Sequence, residues 1–315
     1  MPRAKFFKVA ALVVLLFFIY ALPMGCDEEA PSSSQEDKLH VVVTLSFFED
    51  MVNRIGGERV EVNALVPVGV EPEDYEPSPG DIRAIEDAHR FIYNGLNMER
   101  WLSQVVTDLE ERDNFHALAE KRDFDVIPLP EGPFKGDPDP HLWTNVKNAK
   151  QYVEEIATVL QEADPDNEDY YEHRLEEYRE ELTELHQWIA TQVEKIPEDQ
   201  RKLITSELCF QYFAKEYGFS HDAIWPINAP EEGTTAQIVR IVEVIEKEEV
   251  PVVFVENQVD PRAMEQVSQE AGVPVGGVLY SDSLSEPGEG GETYMEMMRS
   301  NTEQIIKMLK EKGVE

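Results

Sequence analysis

Apolar residues along this chain fall into short runs, separated by longer stretches in which they recur every three or four positions. The short runs predict strands at 39–44, 60–66, 90–93 and 125–128 in the first half. In the second half they predict strands at 202–205, 222–225, 252–255 and 275–278. Helical patterns such as 235–247 and 261–271 lie between them. Strands that alternate with amphipathic helices imply α/β lobes, each a mostly parallel sheet flanked by helices. No internal repeat of short fixed period is evident.

A different pattern separates the halves. Residues 167–196 are almost free of Gly and Pro and dense in Glu. Within them Tyr171, Leu175, Tyr178, Leu182, Leu185 and Ile189 recur at steps of four and three, which places them on one helical face. Asp164-Pro165 precedes this stretch and Pro197 follows it, so both ends are punctuated. A helix of about 30 residues would be roughly 45 Å long. It is expected to be one long rigid connector between two lobes, the alternative being an ordinary surface helix. The expected organisation is a signal peptide at 1–25, an acidic tether at 26–38 and an N-terminal α/β lobe at 39–165. The connector helix follows at 166–197 and a C-terminal α/β lobe at 198–315.

The N-terminus fits that scheme. Arg3, Lys5 and Lys8 precede an apolar run over 9–22, which ends in Pro23-Met24-Gly25-Cys26. That is the charged region, apolar region and small-residue cleavage site of a secretory signal. The run is about a third shorter than the roughly 20 apolar residues a bilayer span needs, which argues against an uncleaved anchor. Cys26 just after a small residue resembles a bacterial lipobox, in which the thiol takes a diacylglycerol. Leu22 stands one position further from the cysteine than that pattern prefers, so ordinary cleavage without lipid stays open. Residues 27–37 are acidic and rich in Pro and Ser, as suits a solvated tether.

Removal of residues 1–25 takes away three basic residues and no acidic one, which moves the formal net charge from −36 to −39. Such a surface repels nucleic acid and anionic lipid. Its acidity reads as a solubility adaptation rather than as a device for attracting cations, because a diffuse field cannot select an ion. Cys209 is the only cysteine besides Cys26, so once Cys26 is acylated no disulfide partner remains, and no CxxC or Cys/His zinc motif is present.

Ligands of parallel-sheet lobes bind in loops at the carboxyl ends of strands. Four such loops carry potential cation ligands. They are Glu71-Pro72-Glu73-Asp74-Tyr75-Glu76-Pro77, Asp139-Pro140-His141-Leu142-Trp143, Thr205-Ser206-Glu207, followed by Phe210-Gln211-Tyr212-Phe213, and Ser281-Asp282-Ser283. On these segments the chain resembles the metal-specific solute-binding lipoproteins of manganese and zinc ABC importers (cluster A-I, or cluster 9). The likeness is closest to the manganese-binding surface lipoproteins of streptococcal type. Glu231-Glu232-Gly233-Thr234, Phe254-Val255-Glu256 and Tyr294-Met295-Glu296-Met297-Met298 also fit family segments, and the resemblance runs from about Leu39 to Leu309.

The resemblance implies a metal site made of Glu73, His141, Glu207 and Asp282, and Cys26 as the lipidated residue. One departure stands out: the family places a histidine where this chain has Glu73. His40, His89, His116, His173, His186 and His221 read as surface or packing residues, with His116 in a helical stretch, so Glu73 is expected to be the ligand itself. The alternative is that it faces solvent and leaves three protein ligands. Oxygen-rich sets suit harder ions such as Mn²⁺, then Fe²⁺ or Zn²⁺, whereas zinc sites lean on His and Cys. With a dication the site would carry one negative charge, which predicts a neighbouring cation or hydrogen-bond donor. The implied protein is a monomer outside the cytoplasm, periplasmic or lipid-anchored to the outer face of the cytoplasmic membrane, that delivers a divalent transition metal to a membrane permease. It is not an enzyme. A lapsed site, with another solute or an adhesin role, is the alternative. A metallohydrolase fits less well, because no HExxH or GxSxG motif is present.

Overall fold

Three consecutive β-branched residues, Val41, Val42 and Val43, are stiff at χ1 and pack well on a pleated surface. They form the centre of the first sheet in the computed structural model, which describes residues 38–106, 112–227 and 233–312. The signal segment 1–25, Cys26 and the tether through Asp37 lie outside the described residues, as do Glu231 and Glu232.

The first half holds strands β1 (Leu39–Val43), β2 (Val60–Ala64), β3 (Arg90–Tyr93) and β4 (Phe115–Ala117), in the order β2-β1-β3-β4. Every pairing is parallel, so the carboxyl ends of all four strands share one edge. The second half holds β5 (Lys202–Glu207) parallel to β6 (Ser220–Trp225), and β7 (Val253–Glu256) parallel to β8 (Val275–Leu279). β5 runs beside β7, and the Glu256 side chain joins them. Its carboxylate accepts hydrogen bonds from the backbone N–H of Ser206 (3.1 Å) and of Glu207 (2.9 Å).

One expected strand is displaced. Residues 125–128 belong to no sheet; Ile127 donates its N–H to the Tyr212 hydroxyl, and Pro128 bridges to Pro138. Pro128 has no N–H for a ladder, whereas Phe115, His116 and Ala117 pair with β3 in full register. His116 therefore lies on a strand and not in a helix. It is buried, and burial pushes its imidazole pKa down to about 4.

The helices are α1 (Ser46–Gly56), α2 (Pro79–Asp87), α3 (Leu102–Val105), α4 (Val146–Ala163), α5 (Glu168–Val193), α6 (Gln211–Tyr217), α7 (Thr235–Glu248), α8 (Arg262–Ala271) and α9 (Tyr294–Lys312). Ser78 caps α2 in a reciprocal capping box with Asp81, with Pro79 at the first helical position, and this stop fixes the end of the preceding loop. α5 is the long helix, and its 26 residues span roughly 39 Å. Tyr171, Leu175, Tyr178, Leu182, Leu185, Ile189 and Val193 form its buried face. That face packs on α1 and α4 from the first half and on α6 and α9 from the second. One continuous apolar core consequently runs from Val41 and Phe47 through Leu182 to Phe254, Tyr294 and Ile305. The architecture is thus α/β, with parallel sheets flanked by helices and a long connecting helix.

Candidate metal centre

Four strand-end segments converge. Glu73 lies in the loop between β2 and α2, and His141 closes the long passage from β4 to α4. Glu207 is the last residue of β5, and Asp282 follows β8. All four side chains are buried, and each offers one ligand atom within 4.8 Å of the others. His141 Nε2 is 3.4 Å from Asp282 Oδ1, 3.8 Å from Glu207 Oε1 and 4.0 Å from Glu73 Oε1. Both oxygens of Glu73, Nε2 of His141 and Oδ1 of Asp282 make no hydrogen bond. Buried polar atoms left unsatisfied cost on the order of 1–3 kcal/mol each. Several of them aimed at one point make a cradle that only a cation, or protons, can satisfy.

The backbone around the site is held from outside. Asp139 Oδ1 lies 2.6 Å from His141 Nδ1 and accepts the His141 backbone N–H at 3.0 Å. Its Oδ2 accepts from Gln211 Nε2 at 2.9 Å. Asp139 therefore keeps the proton on Nδ1 and turns the Nε2 lone pair into the cradle, as metal-binding histidines require. Trp101 Nε1 donates to Pro72 O, next to Glu73, at 3.0 Å. The Asp282 loop is fastened by Trp143 Nε1 to Ser281 O at 2.8 Å, and by the Gly69 N–H to Ser283 Oγ at 2.9 Å. Glu256 fixes the backbone N–H of Glu207, and Thr205 Oγ1 donates to the Glu207 carbonyl at 2.6 Å.

Electrostatics follow from this crowding. Burial, and next the charge of Asp282, push the Glu73 carboxyl up to about 8 against the pull of His141. Burial works against a charged His141, yet Asp282, Asp139 and Glu73 outweigh it and lift the imidazole to about 9. Asp282 is raised chiefly by burial, with His141 opposing. Near neutral pH the metal-free cradle thus holds protons where a dication would supply the same neutralisation. The expected cation or donor is present in both forms: the Arg100 charge lowers Glu73, and Gln258 Nε2 donates to Asp282 Oδ2 at 2.7 Å.

All four residues named from the sequence meet here, Glu73 included; it faces the cradle and not solvent. The other histidines stay away from it. His40 and His89 bond to each other's chain at the entry edge of the first sheet, and His173 and His186 lie on α5. His221 sits on β6, with Nε2 2.7 Å from Thr205 Oγ1. Sequence reasoning missed Asp139, Gln258 and Glu256 as supporting residues. Of these only Gln258 left no local signal: Asp139 stands two positions before His141, and Glu256 ends the segment Phe254-Val255-Glu256.

Comparisons with known proteins agree with this geometry. Residues 41–308 match the family described as ZnuA, zinc-uptake complex component A, periplasmic. The chain is 38% identical over 300 residues to the manganese-binding lipoprotein MntA of Halalkalibacterium halodurans, covering 95% of this chain and 98% of that one. It is 36% identical over 306 residues to the manganese ABC transporter substrate-binding lipoprotein PsaA of Streptococcus pneumoniae, covering 96% and 99%. Among solved structures it resembles the periplasmic zinc-binding protein TroA of Treponema pallidum, with a TM-score of 0.81 and 25% identity over 86% of this chain and 99% of that one. A Mn-bound periplasmic metal-binding protein from Candidatus Liberibacter asiaticus gives a TM-score of 0.78 and 28% identity over 86% and 100%.

Proposed function

We propose, from the premise that this chain belongs to the ZnuA family of periplasmic metal-uptake components, that Glu73, His141, Glu207 and Asp282 hold a divalent transition metal in transit, Mn²⁺ ahead of Fe²⁺ and Zn²⁺. The protein is the extracytoplasmic solute-binding component of a metal ABC importer, and a membrane permease is its partner. It is not an enzyme: the family consists of binding components, and the metallohydrolase reading falls with that. Among the described residues no helix is long and apolar enough to cross a membrane.

The observation that carries the ligand set is the convergence of three carboxylates and one imidazole, all buried, with unsatisfied atoms facing one another. An oxygen-rich set with a single nitrogen suits Mn²⁺. Intrinsic affinity nevertheless favours zinc, so preference must come from coordination number and geometry. The relatives named as manganese-binding support the same choice. Glu73 standing where the family has histidine makes the set harder still. The mechanism is capture and hand-over, with no reaction carried out on a substrate. The ion displaces protons from the cradle, the two halves close modestly on it, and the loaded form docks on the permease, whose preference for that form drives delivery. A lipid on Cys26 would hold the monomer at the membrane, with the acidic segment after it as tether.

Metal content and competitive titration of the chain lacking residues 1–26 test this reading. One ion per chain, lost in Asp282→Ala and weakened in Glu73→Ala, with Mn²⁺ retained against equimolar Fe²⁺, is the expected result. Normal binding by Glu73→Ala would remove Glu73 from the ligand set, and no binding by the parent would refute the site.

A further inference from the structure

Gln258 stands just beyond the carboxyl end of β7 and supplies none of the four converging atoms, yet it touches one of the residues that do. Its side chain is buried. Nε2 donates to Asp282 Oδ2 at 2.7 Å and to Ser281 Oγ at 2.7 Å. The other amide atom, Oε1, is buried and makes no hydrogen bond. A buried carbonyl without a partner is unfavourable by about 1–3 kcal/mol. The amide is thus held in an orientation that only its grip on the Ser281-Asp282 pair makes favourable.

This grip makes the two oxygens of Asp282 unequal. Oδ2 is engaged by the amide, while Oδ1 has no hydrogen bond and lies 3.4 Å from His141 Nε2. Building on the ligand set proposed above, we infer that Gln258 is a specificity-determining positioning residue, which fixes Asp282 as a one-oxygen ligand and so sets the coordination number offered to the ion. Without the amide, Asp282 is free to turn and chelate through both oxygens, which adds an atom to the shell around the ion. An amide serves here better than a lysine or arginine would. It donates to the carboxylate without adding a charge that would repel the arriving cation. The same strand end carries Glu256, which holds the backbone of Glu207. The end of β7 therefore braces both ligands of the second half.

The test compares the parent chain with Gln258→Met, which keeps length and volume and removes the donor. X-ray absorption of the Mn²⁺-loaded proteins reads the number of O/N atoms around the ion, and competitive titration reads the Mn²⁺-over-Zn²⁺ preference. The expected result is a larger first shell in Gln258→Met and a preference changed by roughly 10-fold to 100-fold, the range typical of residues supporting metal ligands. The metal-free melting temperatures should stay close. An unchanged shell with unchanged preference would overturn the inference while leaving the ligand set intact; a parent that binds no ion would instead refute the ligand set. A second measurement needs no variant. The Gln258 side-chain amide protons, followed by NMR in the unmutated protein, should remain protected from exchange when Mn²⁺ is replaced by diamagnetic Zn²⁺ or Cd²⁺. Loss of protection on metal binding would show that the amide lets go of Asp282, and would overturn the inference independently.

Discussion

Asp139 and His141 share one proton in a fixed place, and the chemistry of the centre depends on where it sits. With Nδ1 held 2.6 Å from Asp139, only Nε2 can meet an ion. Asp139→Ala should weaken metal binding roughly 10-fold to 100-fold, and Asp139→Asn less, because its carbonyl oxygen can still accept the Nδ1 proton. Isothermal titration of both variants checks the order. The raised pKa values give a second expectation with a definite sign. In the metal-free fold Glu73 keeps its proton up to about 8 and His141 up to about 9, well above the ordinary values of a glutamate and a histidine. The folded state therefore binds more protons than the unfolded chain between about pH 6.5 and 8.5, so metal-free stability should fall as pH rises through that window. Metal affinity should rise over the same window, by about tenfold per pH unit for each proton displaced. Melting curves with and without Mn²⁺ at pH 6.5 and 8.5 test both: the metal-induced gain must be larger at pH 8.5. At this scale the four converging residues were legible because each stands in a segment with family character. Gln258 was not, since its partner lies 24 residues away and only the fold brings them together.

The elements show where periodicity suffices and where it fails. The apolar face of α5 was readable residue by residue, from Tyr171 to Ile189, because a long helix repeats its signal many times. β4 was not, because three residues with a histidine at their centre carry too little alternation to register. The stretch at 125–128, with two adjacent β-branched residues, drew the assignment instead, although its proline has no N–H to give a ladder. α5 also makes a mechanical prediction. Leu182 is buried at the middle of the helix, within the core shared by both halves. Leu182→Ala should cost about 2–5 kcal/mol of unfolding free energy, measured by urea titration of the metal-free protein, while the one-ion stoichiometry persists.

For the molecule as a whole, the apolar core that passes from β1 through α5 to α9 leaves no thin hinge between the halves. Bending it would expose apolar surface, so closure on the ion is confined to the loops and small adjustments of the sheets. Small-angle scattering of metal-free and loaded protein should give nearly the same radius of gyration, and a wide opening in the metal-free form would contradict this. The α/β class was legible from the alternation of strands and helices, and the long helix from the recurrence of apolar residues between Tyr171 and Ile189. The continuity of the core was not, because nothing local marks Phe254 or Tyr294 as packing against the same cluster as Phe47. One cation is expected among four buried side chains, Glu73, His141, Glu207 and Asp282. A crystal of the Mn²⁺-loaded protein, with anomalous diffraction collected at the manganese edge, tests it most directly. The expected map has a single strong peak within coordination distance of Glu73, His141, Glu207 and Asp282. A peak bound by the other three with Glu73 turned away, or no peak at the centre, would contradict it.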